Sequence, residues 1–465
     1  MAGSQRGVAG PWLRLTFPPV PVPRSPSLRR RARACLWQPF TQMQAWDTEE
    51  FPVITSARGT TLVDADGNRY IDGNASLWCN VHGHRHPVID AALKRQLGRA
   101  AHTTLLGLCH PGAIDLAERL AAIAPRGLDH VFFSDSGSEA LEVALKMVFQ
   151  YWRQRGSRRD TFITFGGAYH GDTLGAVSAG AISLFHGLFK PLLFPTVQVP
   201  CPYSPRDPVG AARKSLAALK RALFRRKQDV AAVVLEPVVQ GAAGILPQLP
   251  GFVRAVRDLC SEAGTLLIAD EVAVGFGRTG RMFACEHDGV TPDLLALGKG
   301  ITAGYLPLSA TLATADIYQS FLAPWHRMKQ FFHGHTFAGN PLACAAALAS
   351  LEVFRRERTL ANLPAKIALF EKRLARFRQR PHVADVRSRG LMGAVELEAS
   401  PGRAYPPEKR MGHRVILECR KRGLILRPLG DAIVLMPALA MDMRTTHRMF
   451  DVVEESLDAG TRGGR

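Results

Sequence analysis

The chain has 465 residues, 46% of them hydrophobic and 21% charged, a balance that can bury two or three domains and excludes disorder over most of the length. Its apolar runs, such as AAVVLEPVV and TLLIADEVAV, are broken by acids well short of the roughly 20 residues a bilayer span needs, so no membrane association is expected. The net charge of +19 falls to +12 once the seven arginines before Asp47 are set aside, and no aromatic or recognition-helix pattern accompanies it, which argues against nucleic acid as a partner.

Taken in chain order, residues 1–34 are rich in Pro and Arg, without an amphipathic period or the apolar centre of a secretory signal. They read as an unstructured basic tail, with an organelle-targeting peptide as the alternative. Residues 35–87 carry short strand patterns, FPVITSARG, TTLVDADG and RYIDG, with Asp66-Gly67 as a turn between the last two. From 88 to 340 apolar strands alternate with helical periods: HVFFSDS, TFITFGG, VAAVVLEPV, TLLIADEV and PLSATLAT. Such alternation implies a mainly parallel sheet covered by helices on both faces. Residues 341–465 give long helices, a hairpin-like pair LILRPLG and AIVLMPAL, and a closing helix. The expected architecture is α/β, a large domain over 88–340 and a smaller α+β domain built from 35–87 and 341–465. The eight cysteines are scattered, with no CxxC pair, and read as reduced thiols of a cytoplasmic enzyme without structural zinc. His82, His84 and His86, like His333 and His335, alternate beside glycines, which suits loops better than a metal site.

Three segments carry chemistry. In VFFSDSGSEALEVALKM an apolar strand runs through a turn of small residues into an amphipathic helix, with Glu142 and Lys146 spaced as an i,i+4 pair. Such a turn exposes backbone N–H groups at the positive end of a helix dipole and can cradle a phosphate; a plain Ser N-cap is the alternative. In TLLIADEVAVGFGRTGR, Asp270 ends an apolar strand, where a carboxylate is costly unless it meets a cation. The GFGRTG that follows matches a dinucleotide fingerprint, but Asp270 and Glu271 separate it from the strand and no clean helix follows. In PDLLALGKGITAGYLPLSATLAT, Lys299 sits between two glycines after an apolar run. A partly desolvated lysine has a lowered pKa and becomes a Schiff-base nucleophile. Pyridoxal 5'-phosphate needs these three parts: a phosphate cradle, a carboxylate for its pyridine nitrogen and a lysine for its aldehyde.

The motifs SDSGSEALEVALKM, GAYHGDT, LEPVVQGAAG, ADEVAVGFGRTG, LGKGITAGYLPLSA and HGHTFAGNPLACAAALASL together resemble class III aminotransferases of PLP fold type I, over residues 36–458. Within that class WQPFTQM, DGNASLWCNVHGHRHP and LILRPLGDAIVLMP resemble the enzymes that aminate 8-amino-7-oxononanoate in biotin synthesis. The resemblance implies that Lys299 bonds the cofactor aldehyde and shuttles the substrate proton, and that Asp270 binds the ring nitrogen. Gly137 and Ser138 would hold the phosphate, with Thr336 reaching it from the partner subunit of a homodimer and His335, in place of a frequent Pro, contributing backbone. Tyr169 and Val272 would cover the two ring faces. Trp78, Gly334 and Arg427 would meet the substrate, Arg427 through its carboxylate, with Glu236 and Asp172 as polar neighbours. Two departures bear on the amino donor. Leu77 and Phe40 stand where many users of S-adenosylmethionine have Trp and Tyr, and a branch with this pattern uses L-lysine. S-adenosylmethionine, the family's usual donor, is the expectation, with L-lysine or another ω-aminotransferase activity as alternatives.

Overall fold

The computed structural model describes residues 25–462. Its contacts divide into two compact units, one of residues up to Ala57 with Leu62–Arg69, the other of Arg58–Thr61 with Tyr70–Arg465. In the first unit the helix Ser25–Cys35 corrects part of the expected tail. Arg29 donates to the carbonyl of Phe51 at 2.9 Å and pairs with Glu50 and Asp66, while Arg33 donates to the carbonyls of Trp46 and Glu49. Arginines that look mutually repulsive in sequence therefore find acceptors some 13–37 residues downstream. The remainder of the expected tail, 1–24, lies outside the described residues.

The second unit does not separate at residues 87 and 340. One hydrophobic cluster runs from Trp78 to Leu457, because the helix Pro341–Arg356 packs on the helices Pro87–Leu97 and Pro111–Ile123. That cluster thus holds Trp78 and Val81 from the first expected small-domain segment and residues from Ala343 to Leu457 from the second, together with those of the sheet.

Seven strands form the central sheet: β1 (His130–Ser134), β2 (Thr161–Phe165), β3 (Val197–Val199), β4 (Val230–Leu235), β5 (Leu266–Asp270), β6 (Leu294–Leu297) and β7 (Ser309–Ala313), in the order β1-β7-β6-β5-β4-β2-β3. β5 pairs in parallel with β4 and β6, β2 in parallel with β3 and β4, and β7 is antiparallel to both its neighbours. Every residue of β4, β5, β6 and β7 is buried. That is why these segments read as continuous apolar runs: helices cover both faces, so no alternation is needed. Because β1, β2, β4, β5 and β6 point one way, their carboxyl ends lie along one edge of the sheet. Ser134, Phe165, Leu235, Asp270 and Leu297 end there, and the loops leaving them build the site.

A second, antiparallel sheet joins Val383–Arg389, Met392–Leu397, Ala432–Leu435 and Arg427–Leu429. The expected hairpin of the last two is present. Its outer partner, the hairpin 383–397, is concealed in the sequence by Arg387 and Arg389. Arg387 is nonetheless buried, because the carboxylates of Asp385 and Glu396 and the carbonyls of Gly244 and Ile245 take its guanidinium.

Candidate active site

At the carboxyl edge, a cavity of about 160 Å³ is lined by Trp78, Gly137, Ser138, Tyr169, Asp270, Val272 and Lys299, together with His170, Gly171 and Glu236. Eight residues singled out in the sequence, Glu236 among them, are brought together here from positions 78 to 299.

β1 leads into the helix Gly137–Gln154 through a capping box: Ser136 Oγ accepts from the Glu139 amide, and the Glu139 carboxylate accepts from the amides of Ser136 and Asp135. The N-cap and the cradle are therefore the same structure. Capping settles the amides of Asp135, Ser136 and Glu139, while Gly137 and Ser138, in the first turn, face the cavity. Gly137 has to be glycine, since a Cβ there would lie 2.4 Å from Val272 Cγ1. At Gly171, with φ at +124°, a Cβ would come within 1.9 Å of Ser138 Oγ, which itself accepts from the Asp172 amide at 3.1 Å. Glu142 does not pair with Lys146 as its spacing suggests. Its carboxylate accepts from the amides of Gly175 and Ala176, and Lys146 Nζ lies 2.8 Å from His333 Nδ1.

Asp270 is 4% exposed; its Oδ1 accepts from the Val272 amide and its Oδ2 lies 2.7 Å from His170 Nδ1. The His170 ring is sealed from solvent, and its Nε2 has no partner among the described residues. Next to it Glu236 accepts from the amides of Tyr169 at 3.1 Å and Gly241 at 2.8 Å. Burial pushes its carboxyl up to about 7, with the Asp270 charge adding to the effect and His170 opposing it. The hydroxyl of Tyr169 donates to Asp172 at 2.8 Å, and burial together with that bond raises its pKa.

Lys299 follows β6 in a left-handed conformation, φ 41°. The glycines on either side let the chain pass close to its neighbours: a Cβ on Gly298 would lie 3.2 Å from Val272 Cγ1, and one on Gly300 2.9 Å from Phe276 Cβ. Burial lowers the Lys299 ammonium below the usual lysine value, although the charges of Asp270 and Glu236 pull it back up. Its Nζ sits 5.6 Å from the centre of the Trp78 ring.

Four expected residues are not in this cavity. Gly334 and Thr336 are exposed, and His335 places Nδ1 3.0 Å from Glu139 Oε2 at the outside of the helix start. Arg427 is half-buried at the head of its strand, opposite Val434. His82, His84 and His86 go to separate partners: Ser350, Asp72 and Glu357. His170 is the residue that sequence reasoning missed. Its only sequence signal is adjacency to Tyr169, and its partner Asp270 lies 100 residues away.

A model of the class-III aminotransferases matches residues 42–457. The chain belongs to this family. The aminotransferase is 51% identical, over 96% of its length and 84% of the relative's, to the adenosylmethionine-8-amino-7-oxononanoate aminotransferase of Nitratidesulfovibrio vulgaris. It is 50% identical, over 94% and 98%, to the enzyme of the same name from Geobacter sulfurreducens. The crystal structure of the one from Methanocaldococcus jannaschii matches with a TM-score of 0.90 at 39% identity, over 93% of this chain and 99% of that one. An (S)-enantioselective omega-transaminase from Thermomicrobium roseum also reaches 0.90, at 32% identity over 94% and 99%.

Class III aminotransferases depend on pyridoxal 5'-phosphate, and the cavity fits that group. A glycine-lined helix start, a buried carboxylate at a strand end and a desolvated lysine share one small space, and a Cβ at Gly137 or Gly171 would collide with its walls, Val272 and Ser138.

Proposed function

We propose that this aminotransferase converts 8-amino-7-oxononanoate to 7,8-diaminononanoate in biotin biosynthesis, with S-adenosylmethionine as amino donor, as a cytoplasmic homodimer. The observation that carries the reading is that relatives 40–51% identical over more than nine-tenths of the chain bear the name of that activity. Among the described residues, no helix is long and apolar enough to cross a membrane.

Bound in the cavity, pyridoxal phosphate supplies an aldehyde carbon to carry the amino group and a ring that takes up the electron pair of the broken Cα–H bond. The protein does the rest. Lys299 is the residue that would hold that carbon, through Nζ. Its lowered pKa leaves more of the amine neutral, able to accept the substrate proton and return it one position away. Asp270, braced by His170 Nδ1 and the Val272 amide, keeps a proton on the ring nitrogen. The first-turn amides of Gly137 and Ser138 take the phosphate charge. Tyr169 and Val272 confine the ring, and Trp78 walls the substrate slot. Thr336, exposed and outside its own chain's cavity, would serve the phosphate of the partner subunit, with His335 beside it and Gly334 lining the substrate's path. Arg427 would take the substrate carboxylate by a bidentate fork.

L-lysine is the second reading for the donor. Leu77, 50% exposed beside Trp78, cannot stack on adenine or attract a sulfonium as an indole would. Presenting each donor separately with 8-amino-7-oxononanoate and measuring the diamine by mass decides the matter. Product from S-adenosylmethionine supports the proposal; product from lysine alone replaces the donor; product from neither, with amines active, makes it another ω-aminotransferase.

A further inference from the structure

We propose that Asp72, which does not line the cavity, is a positioning residue for substrate: it holds the left-handed turn that presents the Trp78 indole to the site. The proposal rests on the reading of Trp78 as a wall of the substrate slot. Four consecutive residues, Ala75, Ser76, Leu77 and Trp78, have φ of 45°, 47°, 68° and 72°, and none is glycine. In this region the Cβ of an L residue crowds the following carbonyl, so single residues visit it and runs do not. A run of four persists only where its surroundings over-determine it, and such strain gathers at functional sites.

The surroundings here are specific. Asp72 ends the strand Arg69–Asp72, which pairs in parallel with Leu424–Ile425, and is 3% exposed. Its carboxylate accepts from the Ser76 amide at 3.0 Å and the Ser76 hydroxyl at 2.7 Å, and its Oδ2 lies 3.2 Å from His84 Nε2. Burial alone would raise its pKa, but the bonds from His84 and Ser76 more than offset that and leave it lowered, so the acceptor is charged. His84 is tied in turn to Gly59 by a reciprocal pair of backbone bonds. At the far end of the turn, Trp78 Nε1 donates to Asn74 Oδ1 at 3.1 Å, and its ring packs so closely on Gly241 that a Cβ there would lie 3.2 Å from Cζ3. One indole face is thereby set 5.6 Å from Lys299 Nζ. Without the Asp72 carboxylate, the turn loses the one charged acceptor of its second residue and is free to relax toward ordinary backbone, carrying the indole with it.

The test is a double-mutant cycle on the cofactor-loaded enzyme. Asp72→Ala should raise the KM for 8-amino-7-oxononanoate by about tenfold or more, while cofactor absorbance and stoichiometry stay unchanged. Asp72→Asn, which keeps an oxygen for the Ser76 amide, should recover most of the loss. Adding Trp78→Ala to Asp72→Ala should cost little more than the worse single variant, because both act through one indole. Multiplying losses, or an unchanged KM in loaded Asp72→Ala, overturn the proposal. If Asp72→Ala does not fold, Ser76→Ala carries the same cycle with a KM change of roughly threefold. If Trp78→Ala alone leaves KM unaltered, the slot-wall reading falls. The positioning is then judged by acrylamide quenching of Trp78 emission, taken as the difference from Trp78→Phe: greater quenching in Asp72→Ala supports it, and equal quenching overturns it.

Discussion

Asp270, Glu236 and Lys299 stand at or just beyond the ends of strands that are buried to the last residue, whereas Trp78 rides on a strained turn and Gly334 and Arg427 lie outside the cavity altogether. The contrast separates the proposed cofactor half of the site from the proposed substrate half. Parallel strands ending at one edge give Asp270, Glu236 and Lys299 their geometry. The second half depends on loops and a second sheet. Chemistry common to a whole class can be built on the rigid half, and substrate choice can vary on the other without disturbing it.

The sharpest way to break this division is at Lys299. Lys299→Ala should lower turnover by roughly a thousandfold or more while the cavity still takes up cofactor noncovalently. Borohydride reduction of the unmodified enzyme should fix the pyridoxyl mass on the peptide holding Lys299. A label on another lysine would refute the assignment.

On the substrate side, Arg427→Ala should raise KM for carboxylate-bearing substrates by about ten- to a hundredfold and leave cofactor loading intact, as the loss of a charge-assisted pair predicts. On the cofactor side Gly137→Ala should do the reverse. Its methyl group would need the space of Val272, 2.4 Å away, and should weaken cofactor affinity by about ten- to a hundredfold while the KM of the loaded enzyme changes little. Equilibrium titration and steady-state kinetics on both variants check the pair; if each shifts both quantities alike, the halves are not separable.

The smallest effect concerns stability. Glu271, fully buried, accepts from the amides of Ala284 and Cys285, and burial lifts its carboxyl to about 7. A folded-state pKa above the unfolded value contributes stability below about pH 4.5, and that contribution is lost as pH rises through 7. Glu236 titrates in the same window. The melting temperature should therefore fall between pH 5 and 8, and Glu271→Gln should flatten part of that fall, by about 2 °C. Parallel curves for the two proteins would count against it.

Much of the rigid half was legible before any coordinates. Apolar runs identified β1, β2, β4, β5 and β7, the small-residue turn marked the helix start, and glycines singled out Lys299. Legibility stopped where a partner is distant. His170 meets Asp270 across 100 residues, and Glu142 abandons its helical neighbour for the amides of Gly175 and Ala176. Arg29 and Arg33 turn an expected tail into a docked helix over 25–35.

By itself the sequence carried the α/β order of elements, because strand burial and glycine placement are local constraints that periodicity records, and its motifs carried the resemblance that implied the family and its cofactor. Only the tertiary structure decided the left-handed turn at 75–78 and the brace on Asp270. It also decided which expected residues share the cavity. The brace and the cavity depend on contacts between segments far apart in the chain, which no local pattern of residues encodes; the turn is tied locally by Asp72 and Asn74, but its strand is placed by Leu424–Ile425 and its indole by Gly241.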